Sequence, residues 1–533
     1  MNHIFLYGPP GSGKSTVGRL LATKLEMPFV DLDDELESLV ALPIPQIMEE
    51  RGEAGFRKAE FAALKHVIEG QSKLIALGGG ALLLSEARER VEAAGAVVLL
   101  EAGLDTLIAR LEASDKPRPL LACDLRAQLS ALLSGREEHY NSFVLRVATN
   151  TIAPDFVTRE IQVILGRFRL RGMGRDYDVV VEVGASKGLG EELLARDLAG
   201  PVAIVSDENI APLYADCIQS CLREAGLGTH LVTFPAGELH KSLRTVQGLW
   251  ESFVELGLDR QSMILALGGG VVGDLAGFVA ATYMRGVAWV VVPTSLVAML
   301  DAAIGGKTAF DLPQGKNLIG AFHAPRLVLA DPSLLSTLPV PELRSGLAEA
   351  VKCGVIADAL LFELLGLGFD KVRHNLPQVI RRAIAVKAHV VETDPYEENM
   401  RSILNFGHTV GHALEAVSGY TIRHGEAVSS GMVAEARLAE HLGIARPGLS
   451  DRISEVLTGL ELPVELPAGL SPEQVLRAMR MDKKSASATV RFALPSEIGR
   501  MELGVATRDL SALFPASDRH RSATRAGAVA EGQ

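Results

Sequence analysis

Two stretches of this 533-residue chain hold residue types at spacings that do chemistry. Residues 401–426, R-S-I-L-N-F-G-H-T-V-G-H-A-L-E-A-V-S-G-Y-T-I-R-H-G-E, gather Arg401, Asn405, His408, His412 and His424. His408 and His412 are four apart, so on a helix they share a face, with Cβ atoms roughly 5–6 Å apart. His424 follows the Gly419-Tyr420 break, where the chain can turn back toward that face. Imidazoles gathered this way, with carboxylates elsewhere to complete the set, suit a divalent ion such as zinc with an open coordination position. The spacing leaves open which of the three are ligands and which are ordinary core or surface histidines. Residues 8–16, G-P-P-G-S-G-K-S-T, fit G-x-x-x-x-G-K-[ST]. Backbone N–H groups of Gly11, Ser12 and Gly13 can turn toward phosphate at a helix N-terminus. Lys14 can reach β- and γ-phosphates, Ser15 can ligate Mg²⁺, and Thr16 follows it into the helix.

The elements that must position these groups are legible in the pattern. Residues 3–7 form a short buried strand before the loop, and a helix runs from 17. A strand at 28–30 ends in Asp31-Leu32-Asp33-Asp34, acids placed where an α/β sheet puts its ligand crevice. Gly55-Phe56-Arg57, a strand at 74–77 ending in Gly78-Gly79-Gly80, Arg118-Pro119-Leu120-Leu121, and Arg136 with Tyr140 follow. A helix over 154–169 closes this part, and 170–175, L-R-G-M-G-R, reads as a flexible linker. From 178 strands and helices alternate in a nucleotide-type βαβ pattern. Strands at 202–205, 231–234, 263–267 and 289–292 end in Ser206-Asp207, Pro235-Ala236-Gly237-Glu238, Gly268-Gly269-Gly270 and Pro293-Thr294-Ser295. The lysines of Gly305-Gly306-Lys307 and Gly315-Lys316-Asn317 are expected on glycine-loosened loops. Beyond about 340 amphipathic helices dominate, and 515–533 is small, polar and expected to be disordered.

Composition bounds what such sites can serve. Lys and Arg number 53 against 65 Asp and Glu, a net charge of −12, with an acidic excess on both sides of Arg169. Phosphate-backbone surfaces are basic, so nucleic acid is not an expected partner. The length predicts two or three domains, and 48% hydrophobic with 22% charged residues is ordinary for a soluble protein. Cys123, Cys217, Cys221 and Cys353 form no C-x-x-C pair, as expected of reduced thiols in a cytoplasm. The strand at position 3 leaves no room for a signal peptide. The most apolar run, 287–300, is broken by Pro293 and too short to span a bilayer. Small-molecule partners and no membrane are the expectation.

On these motifs residues 1–165 resemble the shikimate kinases, small relatives of the nucleoside monophosphate kinases. The resemblance implies a P-loop domain over 1–169 that uses ATP with Mg²⁺. It places Asp33 on the ring hydroxyls of shikimate, Arg57 and Arg136 on its carboxylate, and Gly79 in the pocket wall. Arg118 would ride a lid to the transferring phosphate, with Asp31 near Mg²⁺ and Arg110 near the nucleotide. Planar guanidinium donors suit a carboxylate, and a lid arginine adds charge stabilisation once closed. A gluconate-type kinase, which shares the P-loop, is the alternative for this part.

The remainder, over about 178–510, resembles the 3-dehydroquinate synthases. The resemblance rests on P-x-G-E-x-x-K at 235–241, G-G-G-V-V-G-D at 268–274, M-R-G at 284–286, G-G-K-T at 305–308 and G-K-N at 315–317. A-E-A-V-K at 348–352, N-F-G-H-T-V-G-H at 405–412 and H-G-E at 424–426 complete it. It implies a linker at 170–177, an α/β NAD-binding subdomain at 178–340 and an all-helical metal and substrate subdomain at 341–514. Zinc or cobalt would be held by Glu349, His408 and His424, with His412 on the substrate side. NAD would use Asp207, Glu238, Lys241, Gly270, Val271, Val272, Gly273, Asp274, Thr294, Ser295 and the backbone from Leu334 to Thr337. Arg285, Asp301, Lys352, Lys387, Arg401, Asn405 and Asn317 would surround the substrate, with Lys307 and Lys316 reaching both ligands and Lys483-Lys484 adding a late cation. The implied reaction converts 3-deoxy-D-arabino-heptulosonate 7-phosphate to 3-dehydroquinate with no net redox change, in a homodimer formed through this region. Ala236, Ala302 and Ala303 depart from the family's D-G-E and D-S-S patterns. Another sugar-phosphate cyclase or a polyol dehydrogenase is the alternative for this part.

Overall fold

Five short apolar runs in the first 150 residues form one parallel sheet in the computed structural model, which describes residues 2–114, 124–150, 152–482 and 489–514. The chain divides into two units, Met1–Arg169 and Leu170–Gln533. In the smaller unit the sheet order is Phe29–Asp31, Leu74–Ala76, His3–Tyr7, Gly95–Glu101, Arg146–Ala148. His3–Tyr7 is buried at every position, as a central strand covered on both faces must be. The helix after the P-loop begins at Lys14 rather than 17, because Gly13 takes a left-handed φ of 94° and turns the chain straight into it. The helix expected to reach 169 ends at Leu165, where Gly166 adopts the left-handed cap, and Arg167–Leu170 is extended.

In the larger unit six strands pair in parallel. Their order is Tyr177–Val181, Leu327–Ala330, Ala288–Pro293, Met263–Gly268, Val202–Asp207, Thr229–Phe234. The register sets Gly268 beside Pro293 and Asp207 beside Phe234, so the polar turns after these strands share one edge of the sheet. Lys307, Lys316 and Asn317 do not stand on loops. Lys307–Leu312 and Gly315–Phe322 pair as an antiparallel hairpin, in which Thr308 and Phe310 face the interior.

Helices dominate from Val340–Ala357 onward, with a further antiparallel hairpin of Val490–Glu497 and Arg500–Thr507 turning at Gly499. Three of these helices meet through glycines. A Cβ on Gly431 would stand 2.0 Å from the Gly407 carbonyl oxygen, and one on Gly425 would stand 1.8 Å from that of Ser345. The helices His408–Val417, His424–His441 and Val340–Ala357 therefore touch backbone to backbone. Gly431→Ala is expected to cost about 1–3 kcal/mol of stability by overpacking. Gly248→Ala, on an exposed helical turn with open space around it, should add about 0.4–1 kcal/mol. Denaturant unfolding of the two variants checks both signs.

Candidate functional site

In the smaller unit the P-loop runs through Gly8, Gly11 and Gly13, all at positive φ. Lys14 Nζ donates to the carbonyls of Gly8 at 2.9 Å and Pro9 at 3.0 Å. Ser15 Oγ donates to Asp31 Oδ2 at 2.6 Å, which puts a hydroxyl and a carboxylate together where a hydrated Mg²⁺ can be held. Ser12 Oγ is buried with no hydrogen-bond partner among the described residues. A buried donor left open inside a glycine-rich turn fits a phosphate oxygen. Arg110 reaches the Gly11 carbonyl at 3.4 Å and Thr149 Oγ1 at 3.0 Å, so it lies against this loop.

The acceptor-side residues converge on the Gly78-Gly79-Gly80 turn. A Cβ on Gly78 would stand 2.5 Å from Glu60 Oε1 and 3.3 Å from Asp33 Oδ1, and one on Gly80 would stand 2.5 Å from the Arg57 guanidinium. The Gly79 carbonyl accepts from Arg136 at 2.8 Å, Tyr140 at 3.0 Å and Tyr7 at 3.2 Å. Asp33, Arg57, Gly79 and Arg136 are therefore brought together. Glu60 was not singled out from the sequence, yet it holds Arg57 at 2.6 Å while 3% exposed. Burial raises its carboxyl above the usual range against the pull of Arg57. Its i,i+3 spacing from Arg57 was the available signal. Arg118, the Lys483-Lys484 pair and the 515–533 tail lie outside the described residues.

In the larger unit Glu349, His408 and His424 offer three ligand atoms within 4.8 Å of one another. Glu349 Oε1 lies 3.1 Å from His424 Nε2 and 3.4 Å from His408 Nε2. His408 Nδ1 faces the Phe406 carbonyl at 3.1 Å, which orients Nε2 toward the carboxylate. One carboxylate and two imidazoles can hold zinc or cobalt with a position left for substrate. Burial opposes ionisation of Glu349, but Lys352, 2.5 Å away, and His408 hold it well below the usual carboxylate range. Burial also opposes the His424 charge, yet Glu349 and Glu415 raise it to about 10. His408 is pushed down by burial and by Lys352. The His412 ring lies 5.3 Å from that of His408 on the exposed side. Glu415 is another residue not foreseen, though it recurs seven positions after His408, and it stands 3.6 Å from His424 Nδ1.

Around this triad Lys387 donates to the Asp301 carbonyl at 2.6 Å and pairs with its carboxylate. Burial opposes the Asp301 charge, but Lys387 and Lys352 bring the group below its usual range. Lys307 contacts Glu397, a residue at φ +63 that no sequence spacing pointed to. Arg401 is 2% exposed and donates to backbone carbonyls, whereas Asn405 and Arg285 are exposed. Among the described residues no hydrogen bond or ion pair ties Arg285 to this cluster.

At the polar edge of the sheet, Lys241 lies 2.5 Å from Asp274 Oδ2 and 2.5 Å from Asn317 Oδ1. Burial raises Asp274 to about 6 even beside that ammonium. Gly270, Val271, Val272, Gly273 and Asp274 open the helix Gly270–Thr282, whose N-terminus can face an anion. Asp207 closes its strand by accepting from Asn209 and Ile210, and Glu238 meets Lys316 at 3.2 Å. Thr294 Oγ1 is buried without a partner among the described residues, next to Ser295. Tyr214, not foreseen, joins Leu334 and Thr337 by donating to the Leu334 carbonyl at 2.7 Å. The set offers what a dinucleotide needs: a helix N-terminus, an open hydroxyl and carboxylates at the end of a parallel sheet.

Residues 10–165 match the shikimate kinase family, residues 231–345 the 3-dehydroquinate synthase N-terminal family and 346–485 its C-terminal family. A 3-dehydroquinate synthase of Symbiobacterium thermophilum is 47% identical over 342 residues, 63% of this chain and 94% of that protein. The solved structure of 2-epi-5-epi-valiolone synthase from Streptomyces hygroscopicus, with NAD⁺ and Zn²⁺ bound, aligns with a TM-score of 0.58 at 30% identity. It covers 66% of this chain and 97% of that one. A 2-deoxy-scyllo-inosose synthase complexed with carbaglucose-6-phosphate, NAD⁺ and Co²⁺ aligns with a TM-score of 0.60 at 26% identity, covering 64% and 96%. Through its larger unit the chain belongs to the 3-dehydroquinate synthase family, and its smaller unit carries a shikimate kinase domain.

Proposed function

We propose that this chain is a bifunctional shikimate-pathway enzyme. One unit phosphorylates shikimate with ATP, and the other cyclises 3-deoxy-D-arabino-heptulosonate 7-phosphate to 3-dehydroquinate with release of phosphate. The carrying observation is that a P-loop beside a guanidinium-lined turn and a carboxylate–imidazole triad beside an NAD-type sheet edge lie on one chain, each within the matching family. The higher identity to 3-dehydroquinate synthases than to the other cyclases favours this substrate for the larger unit. The working parts are 1–169, 178–340 and 341–514, joined by 170–177 and assembled as a cytoplasmic homodimer through the synthase region. No described helix is long and apolar enough to cross a membrane.

In the kinase reaction Lys14 leaves the Gly8 and Pro9 carbonyls for the β- and γ-phosphates of ATP, and Ser15 with Asp31 would hold its Mg²⁺. Arg57, steadied by Glu60, and Arg136 take the shikimate carboxylate, while Asp33 accepts from its hydroxyls and Arg118 neutralises the transferring phosphate. In the synthase unit Glu349, His408 and His424 would hold zinc or cobalt, and the polar sheet edge would hold NAD; when bound, the first would supply a Lewis acid for a substrate oxygen and the second a reversible hydride acceptor. Lys307, Lys316 and Lys352, with Arg285, bind the anionic groups of the substrate. Lys387, itself buried, pairs with the partly exposed Asp301 carboxylate and can hold a proton beside the triad. A cation-rich, partly dry pocket favours ionised intermediates over the neutral substrate.

Phosphate release from the heptulosonate phosphate with catalytic NAD⁺, before and after chelation and metal add-back, tests the synthase. Metal-dependent release without NADH accumulation is expected, and NADH accumulating on polyols with no phosphate released would overturn it. Lys14→Ala should lower shikimate phosphorylation by about 10²–10³-fold, the scale for losing one preorganised charge-stabilising donor, and leave phosphate release by the other unit intact.

The metal site adds a pH prediction. In the metal-free protein His424 is raised from its ordinary 6.5 to about 10. Its stabilising contribution is therefore complete below pH 6.5 and lost as pH rises through about 10. An ion needs that imidazole neutral, while His408 and Glu349 are already deprotonated. Zinc binding at pH 8 should release close to one proton, read with an indicator dye in weak buffer. A count near zero would remove His424 from the ligand set.

A further inference from the structure

The turn before Lys307 is held through both polar groups of one residue. The Gly305 N–H donates to the Tyr177 hydroxyl at 3.0 Å, and the Gly305 carbonyl accepts from Arg401 at 3.2 Å. Arg401 also donates to the Pro395 carbonyl at 2.7 Å, and its own N–H is fixed by Asp394 at 2.9 Å. Gly305 and Gly306 sit at φ +100 and +58, and a Cβ on Gly305 would stand 2.1 Å from an Arg401 guanidinium nitrogen. The approach is thus as close as glycine permits. Tyr177 and Arg401 are 1% and 2% exposed, so water does not compete for either bond. Burial pushes the Tyr177 phenol above its usual range, which keeps it a neutral hydroxyl.

The segment leading into Tyr177 reinforces the same place. Met173 is buried, and its Cε lies 2.9 Å from where a Gly306 Cβ would stand. A Cβ on Gly172 would meet the Pro395 ring at 2.8 Å. Residues 172–177 therefore back two turns at once: 305–307, which carries Lys307, and 395–401, which carries Glu397 and Arg401. Lys307 and Glu397 then meet across the gap between those turns.

We propose that Tyr177 is a positioning residue of the synthase reaction, its hydroxyl holding the Gly305 N–H so that Lys307 and Arg401 keep the spacing the substrate's anionic groups require. The assignment rests on the proposed placement of Lys307 and Arg401 at the substrate. Phenylalanine would fill the same apolar space and lose only the acceptor, leaving a buried N–H that the turn must move to satisfy.

The test is Tyr177→Phe in the full chain, with Gly305→Ala as a second variant that displaces Arg401 from the other side of the turn. For Tyr177→Phe the KM for the heptulosonate phosphate should rise about tenfold with kcat changed about twofold or less, the size of one misplaced hydrogen-bonded contact. Zinc affinity and shikimate phosphorylation by the same chain should stay at the unmutated level, which certifies the fold. Gly305→Ala should raise the same KM, and the double variant should be no worse than the worse single, as coupled neighbours behave. An unchanged KM, even with a lowered melting temperature, overturns the proposal, as does a KM rise accompanied by loss of zinc affinity or strict additivity in the double variant. If the unmutated chain itself fails to turn over the heptulosonate phosphate, the functional reading is wrong and the positioning role falls with it. That outcome is distinct from a variant that merely matches an active parent.

Discussion

A single carboxylate, Glu349, sets the terms for the larger unit. It is 1% exposed, and a buried anion costs several kcal/mol unless cations and donors stand around it. The chain meets that demand from three helices at once. Lys352 comes from one turn further along the same helix, His408 from the start of a second and His424 from the start of a third. Imidazoles at helix starts can come this near only if the helices touch, and that is what the glycines at 407, 411, 425 and 431 permit. The Glu349 carboxylate has a positive partner in either condition of the site. Without an ion His424 carries a proton, and with one the ion takes its place.

The two units use the same topological opportunity with different means. Both carry polar turns beyond the carboxyl ends of parallel strands, where backbone N–H groups and side chains converge. The smaller unit relies on backbone: glycine φ values open N–H groups to phosphate, and even the Gly79 carbonyl gathers three donors. An oxygen with two lone pairs needs only two of these. Arg136 can therefore leave for a substrate carboxylate while Tyr7 and Tyr140 keep the carbonyl satisfied. The larger unit relies on ion pairs between a buried lysine and a partly exposed carboxylate, Lys387 with Asp301 and Lys241 with Asp274, which hold charge in fixed positions before a ligand arrives.

What the sequence disclosed was what local spacing encodes. The P-loop, the His408–His412 face and the strand-ending glycines need only neighbouring residues to be recognised. Glu60 and Glu415 were also within reach, at three and seven positions from Arg57 and His408 on helices. Glu397 and Tyr177 were not, because each meets its partner through turns whose positive φ values no periodicity announces. The hairpin carrying Lys307 and Lys316 looked like loops because its glycines outweighed a short alternation of Thr308 and Phe310. Arg401, expected against substrate, is bonded to two backbone carbonyls and holds the turns they belong to.

The departures at Ala302 and Ala303 take on a physical meaning in this setting. Residues 298–302 form a wide helical turn that sends Asp301 toward Lys387. The same turn brings the Ala302 methyl within 3.4 Å of where a Gly270 Cβ would stand, at the N-terminus of the helix Gly270–Thr282. The first N–H groups of that helix have no partner within it. A hydroxyl at 302 would stand beside those donors and compete for them, as short polar side chains do with nearby backbone. A methyl leaves them to an incoming anion. Ala303 is 5% exposed and fills space behind the turn. On the side of residue 302 the Gly270–Thr282 N-terminus therefore faces only a methyl group, while the Ser295 hydroxyl stands 3.5 Å from where a Gly269 Cβ would be, and an anion can reach the helix donors between them.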